Sequence, residues 1–309
     1  MLRATVRFGM DIEASARVES VPAAQWPRLA PFVFRHNRLE DGRVRCMHSE
    51  QGETEAAHLQ ELAGLAAESA AFWRIASEDG ELLGVIGCEL DASQARAWLR
   101  GPWTEPGPHA GAMAGVLLQT LEAALPAIQR FDAFPHLDEE TLNALYRDAG
   151  YERMTIHRVM QAMLHEVEAS PPDPRIAPTA RTDLAHWLPL HHALFPGGYL
   201  SDDEIEAALG GGRRLVLTAW LQGRPAGYLV ANDEPAMGEI YVDFIGVDPA
   251  CRGRGLGRSL LLEALRWGRG LNRRHAALTV RQDREEALSL YRRCGLEQVS
   301  AGVHWRKDR

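Results

Sequence analysis

Residues 252–258 read Arg-Gly-Arg-Gly-Leu-Gly-Arg, so three glycines and three arginines lie within seven residues. The segment follows an apolar run that ends at Asp248-Pro249, and it precedes the leucine-rich residues 259–267. A strand, turn and helix in this order present unsatisfied N–H groups at the helix start, where the helix dipole favours an anion. Glycine lets a phosphate approach the backbone closely, and arginine adds charge and hydrogen-bond donors. The pattern therefore predicts a loop that binds a phosphorylated ligand.

The spacing of these glycines separates the loop from two common phosphate-binding motifs. A Walker loop ends in Gly-Lys-Ser/Thr, whereas this segment has Gly257-Arg258-Ser259 and lacks the lysine. A dinucleotide-binding fingerprint counted from Gly253 requires glycine at position 258, where arginine stands. The pattern that fits is R-x-x-G-x-G, which begins at Arg252 and ends at Gly257.

This loop resembles the acyl-CoA loop of the GNAT superfamily of N-acetyltransferases. The resemblance covers residues 175–309 and includes residues 280–296, which resemble that family's strand, tyrosine-bearing helix and closing strand. Two positions depart from the family pattern, because Arg284 replaces a common Asn and Leu296 replaces the usual Phe. The resemblance implies acetyl-CoA as cosubstrate and direct attack of an amine on its thioester, without an acyl-enzyme.

The resemblance also implies roles for individual residues. The strand before the loop would splay from its neighbour and bind the pantetheine arm through the backbone of Ile245, Gly246 and Val247. Tyr291 would protonate the departing thiolate, although a tyrosine on an amphipathic helix is also consistent with a core aromatic residue. The implied pyrophosphate site comprises Arg252, Gly253, Arg254, Gly255, Leu256, Gly257 and Arg258.

Two carboxylates on the strand before the loop are candidates for handling the proton of the attacking ammonium. Glu239 and Asp243 occupy alternating positions, so both side chains are expected on one face. Either carboxylate would accept a proton through water or attract a cationic substrate. Each is equally consistent with a solvated or salt-bridged acid at a strand end.

Two adjacent histidines, His191 and His192, precede a Pro-Gly-Gly-Tyr segment that ends at Tyr199. By family resemblance this loop borders the acceptor site. Histidines at such positions more often cap a helix or face solvent than take part in chemistry. No third ligand occurs at a usual metal-binding spacing, so the sequence predicts no metal site.

An internal repeat relates the two halves of the chain. Residues 141–151 read TLNALYRDAGY and residues 286–296 read EALSLYRRCGL, so Tyr146 corresponds to Tyr291 at an offset of 145 residues. Both halves also contain a hairpin pattern, with turns at Asp79-Gly80 and Gln222-Gly223. Duplication explains these agreements better than chance.

Each half predicts the same order of elements, which starts with amphipathic helices and a hairpin. A strand follows at residues 96–103 or 239–247, and then a loop and a helix. The next strand, at residues 130–134 or 276–281, precedes a helix that ends in glycine and a final pair of strands. The fold class is therefore α/β (α+β), and the resemblance implies two tandem GNAT domains, each a mixed, mostly antiparallel twisted sheet flanked by helices.

The predicted domains are residues 1–168 and 175–309, joined by a proline-rich linker at residues 169–174. In the first domain, residues 98–115 correspond to the loop and residues 116–125 to its helix. Prolines and Glu105 replace the arginines there, so this copy is expected to bind pyrophosphate poorly and to be non-catalytic. The first domain also keeps Tyr146 and glycines at 107, 111 and 115, and its helix at residues 53–71 is ordinary packing.

The composition of the 309 residues is that of a globular protein, with 46% apolar and 25% charged residues. The net charge is −8 and the acidic excess lies in the first half, which argues against a nucleic-acid partner. The most apolar stretch, residues 110–128, is interrupted by polar residues, so no membrane partner is expected. Four dispersed cysteines and the lack of a signal peptide pattern predict a cytoplasmic protein with reduced thiols.

The sequence therefore predicts an acetyl-CoA-dependent N-acetyltransferase that acts on a primary amine of a small molecule or peptide, with its active site in the C-terminal domain. Within the superfamily, the length and two-domain layout resemble the mycothiol synthases, which act on a small aminoglycoside thiol precursor. A different class, a non-catalytic CoA-binding sensor or scaffold, stays open. The sequence identifies neither the acceptor amine nor the oligomeric state, so a homo-oligomer stays open.

Overall fold

The computed structural model describes residues 3–7, 15–39, 41–47, 54–167, 171–196, 202–209, 213–235 and 237–309. In the first half of the chain, Gly80 adopts a φ of +85° in the predicted turn and joins two antiparallel strands. The elements of this half are β1 Arg3–Arg7, β2 Ser15–Ser20, α1 Ala30–His36, α2 Glu55–Gly64, β3 Ala70–Ala76, β4 Leu82–Asp91, β5 Arg96–Thr104, α3 Ala110–Ala124, β6 Arg130–Ala133, α4 Glu140–Asp148 and β7 Glu152–Met163.

The second half repeats this succession. Its hairpin turns at Gln222 and Gly223, which both adopt positive φ, as the sequence predicts. The elements are β8 Ile176–Pro178, α5 Leu184–Leu194, α6 Asp202–Ala208, β9 Arg214–Leu221, β10 Arg224–Glu234, β11 Glu239–Val247, α7 Leu256–Gly270, β12 His275–Arg281, α8 Glu285–Arg293 and β13 Glu297–Asp308.

The internal repeat is present element by element. Helices α4 and α8 have the same length and lie 145 residues apart, and the same offset separates β7 from β13. Strands β5 and β11 are also of equal length, at an offset of 143 residues. The two halves of the chain therefore share one architecture, which confirms the predicted duplication.

The chain forms two compact units, Met1–His157 with Ser300–Arg309, and Arg158–Val299. Residues 158–163 of β7 belong to the second unit, where Met160 and Ala162 lie in its hydrophobic core. Residues 300–308 of β13 belong to the first unit and pair antiparallel with β6. These bounds differ from the predicted domain limits at residues 168 and 175, because the last strand of each half is divided between the two units.

The second unit is a three-layer structure around the strands β7-β12-β11-β10-β9-β8, in that order. Strands β11 and β12 are parallel, and β8 to β11 are joined by antiparallel pairs. Helices α7 and α8 bury leucines against one face, and α5 and α6 pack Trp187 and Ile205 on the other. Both faces are covered because an amphipathic helix and a half-apolar sheet each need a partner.

The first unit has the same layers around the strands β1-β2-β3-β4-β5-β6-β13. Strands β5 and β6 are parallel, whereas the other pairs are antiparallel. Helices α3 and α4 cover one face, and α1 and α2 cover the other. The predicted mixed, mostly antiparallel sheet flanked by helices is therefore confirmed for both units.

Two predicted helices differ in extent from those observed. The helix predicted over residues 53–71 ends at Gly64, because the apolar Ala70 and Ala71 already belong to β3. Helix α3 begins at Ala110 and not at residue 116.

The predicted final pair of strands is a single strand of 12 residues in each half. Within β13, Gly302 does not form a turn. A Cβ there would lie 3.2 Å from the carbonyl oxygen of Pro135, so the glycine permits a close approach of two backbones.

Candidate active site

Strand β11 separates from β12 partway along its length. The parallel pairs run from Glu239–His275 to Val242–Leu278, three residues before β12 ends and five before β11 ends. On its other side, β11 stays paired with β10 as far as Val247. The second unit therefore has a splayed strand beside Ile245, Gly246 and Val247, where an extended ligand carrying amide groups fits by strand-like pairing.

Gly246 leaves room for the helix that covers this part of the strand. A Cβ at position 246 would lie 2.6 Å from Cδ1 of Leu194 and 3.0 Å from the ring of Tyr228. Any side chain at this position would displace α5 or the tyrosine ring. The predicted Ile245–Gly246–Val247 segment is thus held by packing on one face and by β10 along one edge.

The loop after β11 is built from a short turn and two left-handed glycines. Asp248 accepts a hydrogen bond from the N–H of Ala250 at 2.9 Å, which starts the 3₁₀ turn Pro249–Cys251. Gly253 and Gly255 adopt φ values of +75° and +80°, a region that L-residues with side chains enter only with strain. Gly255 is the N-cap of α7, so the chain turns sharply into the helix at this residue.

The space above the loop is open. Among the described residues, no atom beyond the two chain neighbours lies within 4 Å of the position that a Cβ on Gly253 would take, and a Cβ on Gly255 would meet Nη2 of Arg175 at 4.0 Å. A Cβ on Gly257 would lie 3.2 Å from Cδ2 of Leu290, so this third glycine serves the packing of α7 on α8. Gly253 and Gly255 therefore form a cradle that fits a phosphate group, whereas Gly257 is structural.

Positive charge surrounds this cradle. Arg252, Arg254 and Arg258 are all exposed, and Nε of Arg252 lies 3.4 Å from the carbonyl oxygen of Val247. Leu256 is buried in the core beneath the loop and anchors the first turn of α7. A helix start flanked by glycines and exposed arginines is an arrangement that favours an anion.

Tyr291 lies on α8 and is buried, with 6% of its surface exposed. Burial raises the pKa of its phenol to about 12, so the hydroxyl stays protonated at neutral pH. Within the described parts of the chain, no protein group forms a hydrogen bond with this hydroxyl. A buried phenol without a protein partner is able to donate its proton to a ligand.

The other described tyrosines differ from Tyr291 in this respect. The hydroxyl of Tyr146, the repeat counterpart of Tyr291, donates a hydrogen bond to the carbonyl oxygen of Gly101 on β5. The hydroxyls of Tyr151, Tyr228 and Tyr241 bond to Glu122, His191 and Thr279 at 2.7–2.8 Å. Of the two equivalent tyrosines, Tyr146 therefore binds a strand of its own unit, whereas the hydroxyl of Tyr291 has no hydrogen bond to a described protein group.

The two candidate carboxylates take different positions along β11. Asp243 lies just beyond the last β11–β12 pair, at a bulge where the register with β10 shifts between Val230 and Ala231. Glu239 forms the first pair of the strand and is 9% exposed. Four residues of strand correspond to ~13 Å, so only Asp243 lies at the opening of the splay.

Asp243 is part of a row of polar side chains across three strands. Nδ2 of Asn232 donates a hydrogen bond to Oδ2 of Asp243 at 2.6 Å, and Nε of Arg214 donates to Oδ1 of Asn232 at 2.5 Å. Glu239 lies 3.5 Å from Nε2 of Gln161. Asn232 and Arg214 were not predicted from the sequence, because nothing in a single sequence shows which residues of neighbouring strands lie opposite each other.

His191 is a core residue. It is 2% exposed, and its Nδ1 lies 2.7 Å from the hydroxyl of Tyr228. Burial lowers the pKa of the imidazole, so the ring is neutral within an aromatic cluster with Phe244. His192 is exposed and lies 2.8 Å from Asp202, while the loop at residues 197–201 is outside the described residues.

The counterpart of the loop in the first unit has a different form. Only residues 105–109 separate β5 from α3, so Gly111 and Gly115 lie inside the helix and Gly107 is the single loop glycine. Glu105 forms an ion pair with Arg35 at 3.2 Å and a hydrogen bond with Nε2 of His36 at 3.1 Å. This turn lacks both the two left-handed glycines and the arginines of the second unit.

The first unit also differs at the position of Asp243. Arg100 is its counterpart at the offset of β5 and β11, and it is buried and paired with Glu61. Strand β5 separates from β6 after the pair Trp98–Asp132, but there the anchored Tyr146 bonds to the strand beyond the separation. In the first unit, buried contacts therefore hold this part of β5 from both faces of the sheet, Arg100 toward α2 and Tyr146 from α4.

Other classes of site are not found in the described structure. No group of three or more His, Cys, Asp or Glu side chains suited to a metal ion occurs among the described residues. All four cysteines lie in the described ranges, and none of them forms a disulfide. No helix within the described ranges is long and apolar enough to cross a membrane.

Comparison with known proteins agrees with this geometry. The model of the Acetyltransferase (GNAT) family matches residues 182–296, which include the splayed strand, the loop and Tyr291. Mycothiol acetyltransferase of Geodermatophilus obscurus is 30% identical to this chain over 231 residues, which cover 66% of this chain and 72% of that protein.

Two solved structures share the fold along nearly the whole chain. A GCN5-related N-acetyltransferase from Sphaerobacter thermophilus has a TM-score of 0.71 at 17% identity and covers 95% of both chains. A tandem GNAT protein from the clavulanic acid biosynthesis pathway has a TM-score of 0.65 at 15% identity, covering 94% of this chain and 98% of its own. The chain therefore belongs to the GNAT family and is an N-acetyltransferase with a tandem GNAT fold.

Proposed function

We propose that this protein transfers an acetyl group from acetyl-CoA to a primary amine of a small molecule or peptide, with its active site in the second unit. The observation that carries the proposal is the course of β11. The strand leaves β12 after Val242, continues to Val247 and enters the R-x-x-G-x-G loop at the start of α7. One continuous segment thus provides a strand edge for an amide-bearing arm and a helix start for phosphates.

Acetyl-CoA, when bound, supplies an activated acetyl thioester. We assign its pantetheine arm to the backbone of Ile245, Gly246 and Val247, at the splayed part of β11. The open cradle of Gly253 and Gly255 supports the assignment of its pyrophosphate to residues 252–258. The exposed arginines of that loop neutralise phosphate charge at the site.

In this proposal, Tyr291 is the general acid that protonates the thiolate left after acetyl transfer. Its phenol is protonated at neutral pH, since burial raises its pKa to about 12. It also lacks a protein hydrogen-bond partner among the described residues, unlike Tyr146. A proton donor that has no competing acceptor delivers its proton at low reorganisation cost.

Asp243 is the carboxylate that the geometry favours for the acceptor amine. It lies at the opening of the splay, whereas Glu239 lies within the paired part of β11. The Asn232 amide donates to the Asp243 carboxylate, which holds it in one orientation. Asp243 then attracts an ammonium group or accepts its proton through water. The position of Glu239 supports this role less well.

The proposal is tested by release of free CoA thiol from acetyl-CoA in the presence of a panel of amines. The panel includes amino sugars, an aminoglycoside thiol, polyamines and peptides with free N-termini. We expect at least one amine to stimulate thiol release, and we expect Tyr291→Phe to remove most of that stimulation. Binding of acetyl-CoA without Tyr291-dependent turnover on any amine would favour the CoA-binding sensor or scaffold instead.

A mycothiol-synthase-like reaction is the second candidate within the same class. It is favoured by the 30% identity to mycothiol acetyltransferase over two thirds of the chain. The degraded loop of the first unit argues against a close match to this reaction, because that resemblance favours a second loop able to bind the coenzyme. Selective turnover of the aminoglycoside thiol in the amine panel would identify this reaction.

A further inference from the structure

Arg175 contacts the loop assigned to the pyrophosphate, although it lies far from the loop in sequence. Its Nη1 donates a hydrogen bond to the carbonyl oxygen of Arg254 at 3.1 Å. Its Nη2 is 4.0 Å from the position that a Cβ on Gly255 would occupy. The guanidinium therefore lies at the edge of the open glycine cradle.

The segment that carries Arg175 is fixed to the second unit by its backbone. The carbonyl oxygen of Arg175 accepts a hydrogen bond from the N–H of Trp220 at 2.7 Å, and Ile176 begins β8, which pairs with β9. The N–H of Ile176 donates to the carbonyl oxygen of Asp173 at 2.9 Å. Residues 173–176 thus form an ordered strap, although residues 173 and 174 were predicted as linker.

The side chain of Arg175 is held in place by Asp173. Its Nε and Nη2 donate to the Asp173 carboxylate at 3.0 and 2.6 Å, and Oγ of Ser259 donates to the same carboxylate at 2.6 Å. Because Ser259 lies in the first turns of α7, the carboxylate connects Arg175 to the helix that begins at the cradle. The Arg175 guanidinium holds the pKa of Asp173 well below its usual range, so the pair stays ionised.

The guanidinium keeps donors available for a ligand. Arginine has five N–H groups, and these contacts use one on each of its three nitrogens. One N–H on each terminal nitrogen remains, and 38% of the side chain is exposed. A fork of this kind matches the oxygens of a phosphate better than a point charge does.

We infer that Arg175 is a further phosphate-binding residue of the acetyl-CoA site, contributed by the strap at residues 173–176 and not by the R-x-x-G-x-G loop. The inference rests on the proposed function, since it names another residue for the same coenzyme. Its position beside Gly255 assigns it to the pyrophosphate. Asp173 and Ser259 are positioning residues that aim the guanidinium at the cradle.

The test measures equilibrium binding of three ligands to the full chain by competition calorimetry. Acetyl-CoA carries the pyrophosphate and the 3′-phosphate, 3′-dephospho-acetyl-CoA carries the pyrophosphate alone, and acetyl-pantetheine lacks both. The variants are Arg175→Gln, Arg175→Lys and the control Arg181→Gln. Arg181 is also an ion-paired arginine of the second unit, 3.2 Å from Glu206.

We expect Arg175→Gln to raise the Kd of acetyl-CoA and of 3′-dephospho-acetyl-CoA by about fivefold to tenfold, with no change for acetyl-pantetheine. Arg175→Lys keeps the charge without the fork, so about half of that loss in log Kd is expected. Arg181→Gln should leave all three Kd values unchanged. If Arg175→Gln raised the Kd of acetyl-CoA and left the Kd of 3′-dephospho-acetyl-CoA unchanged, Arg175 would contact the 3′-phosphate and its assignment to the pyrophosphate would be wrong.

Two results would overturn the inference while leaving the proposed function intact. One is an unchanged Kd for acetyl-CoA in a folded Arg175→Gln protein. The other is an equal loss for acetyl-pantetheine, because that would show a structural effect of Arg175 on the whole site. Failure of the wild type to bind acetyl-CoA would instead contradict the proposed function itself.

Discussion

The chemistry assigned to this protein depends on whether single side chains have partners within the fold. Tyr146 and Tyr291 occupy equivalent positions on α4 and α8, and both are buried. The hydroxyl of Tyr146 is bonded to Gly101, whereas no described protein group bonds to that of Tyr291. The duplication therefore provides a matched pair in which the same residue type is structural in one unit and available for chemistry in the other.

Replacing Tyr291 by Phe is expected to lower kcat by about 100-fold or more, since a positioned general acid contributes 10² to 10⁴. The Kd of acetyl-CoA should stay within about twofold, because the change removes one oxygen atom and no charge. Thiol release and calorimetry measure the two quantities. The control is Tyr146→Phe, which should retain kcat and lose about 1 kcal/mol of unfolding free energy through its lost hydrogen bond.

A Tyr291→Phe protein with normal kcat would show that another group, or water, protonates the thiolate. A Tyr146→Phe protein with reduced kcat would instead show that the first unit takes part in turnover.

The raised pKa of Tyr291 also predicts a pH dependence of stability. An unfolded tyrosine titrates near pH 10, whereas burial raises the pKa of Tyr291 to about 12. The contribution of this residue to stability is therefore complete below about pH 10 and is lost as the pH rises through about 12. Relative to Tyr291→Phe, the wild type should lose about 2 kcal/mol of unfolding free energy between about pH 9 and pH 12.

Urea unfolding of both proteins at several pH values measures this difference. Parallel loss of stability in the two proteins would show that the Tyr291 phenol titrates as a solvent-exposed tyrosine does.

At the scale of elements, the loop and the start of α7 depend on backbone conformations that only glycine adopts easily. Gly255→Ala places a side chain at a φ of +80°, which costs about 1–2 kcal/mol of unfolding free energy. The strain falls on the cradle, so the Kd of acetyl-CoA should rise about tenfold. Chemical denaturation and calorimetry measure the two effects.

The matched control for this change is Gly270→Ala at the other end of α7. Gly270 has no positive φ, and within the described structure no atom outside its own helix backbone and chain neighbours lies within 4 Å of its Cβ position, so alanine should be neutral or stabilising by up to about 1 kcal/mol. If both variants bind acetyl-CoA as tightly as the wild type, the cradle at Gly255 is not the pyrophosphate site.

The two carboxylates of β11 give a second test at this scale. Asp243→Asn should lower kcat/KM for the acceptor amine by about tenfold or more, with the Kd of acetyl-CoA unchanged. Glu239→Gln should have the smaller effect, because Glu239 lies within the paired part of the strand. Steady-state kinetics with the amine identified in the panel measure both, and a larger loss in Glu239→Gln would reverse the assignment.

The elements themselves are largely predictable from local sequence, because hairpin turns, apolar periodicity and helix ends act over a few residues. Strand β11 has the predicted bounds, and the Gln222-Gly223 turn forms as expected. The start of α3 was missed, since Gly111 and Gly115 suggest a loop in sequence but face open space in a helix.

The candidate site was predictable only in part. The loop and Tyr291 carry a local motif, whereas Arg175, Asn232 and Arg214 act through tertiary contacts that no sequence spacing shows. The bulge at Asp243 likewise depends on the register between β10 and β11. Residues that contact the site from other strands are therefore identified only from the three-dimensional structure.

At the scale of the whole molecule, duplication has produced two units with one architecture and different interiors. The second unit keeps a splayed strand, a glycine cradle and an exposed arginine loop. In the first unit the corresponding features are a five-residue turn, a glutamate bonded to Arg35 and His36, and a buried Arg100. We therefore expect a single acetyl-CoA site per chain.

The most direct test of this account is the stoichiometry of acetyl-CoA binding by calorimetry, for the wild type and for Gly255→Glu. The variant adds bulk and negative charge to the open cradle, with Arg175 as the nearest group. We predict one site per chain in the wild type and none in the variant. Two sites in the wild type would show a further coenzyme site outside the loop of the second unit, and one site that survives in Gly255→Glu would place binding outside that loop. Either result would contradict a single site at the loop.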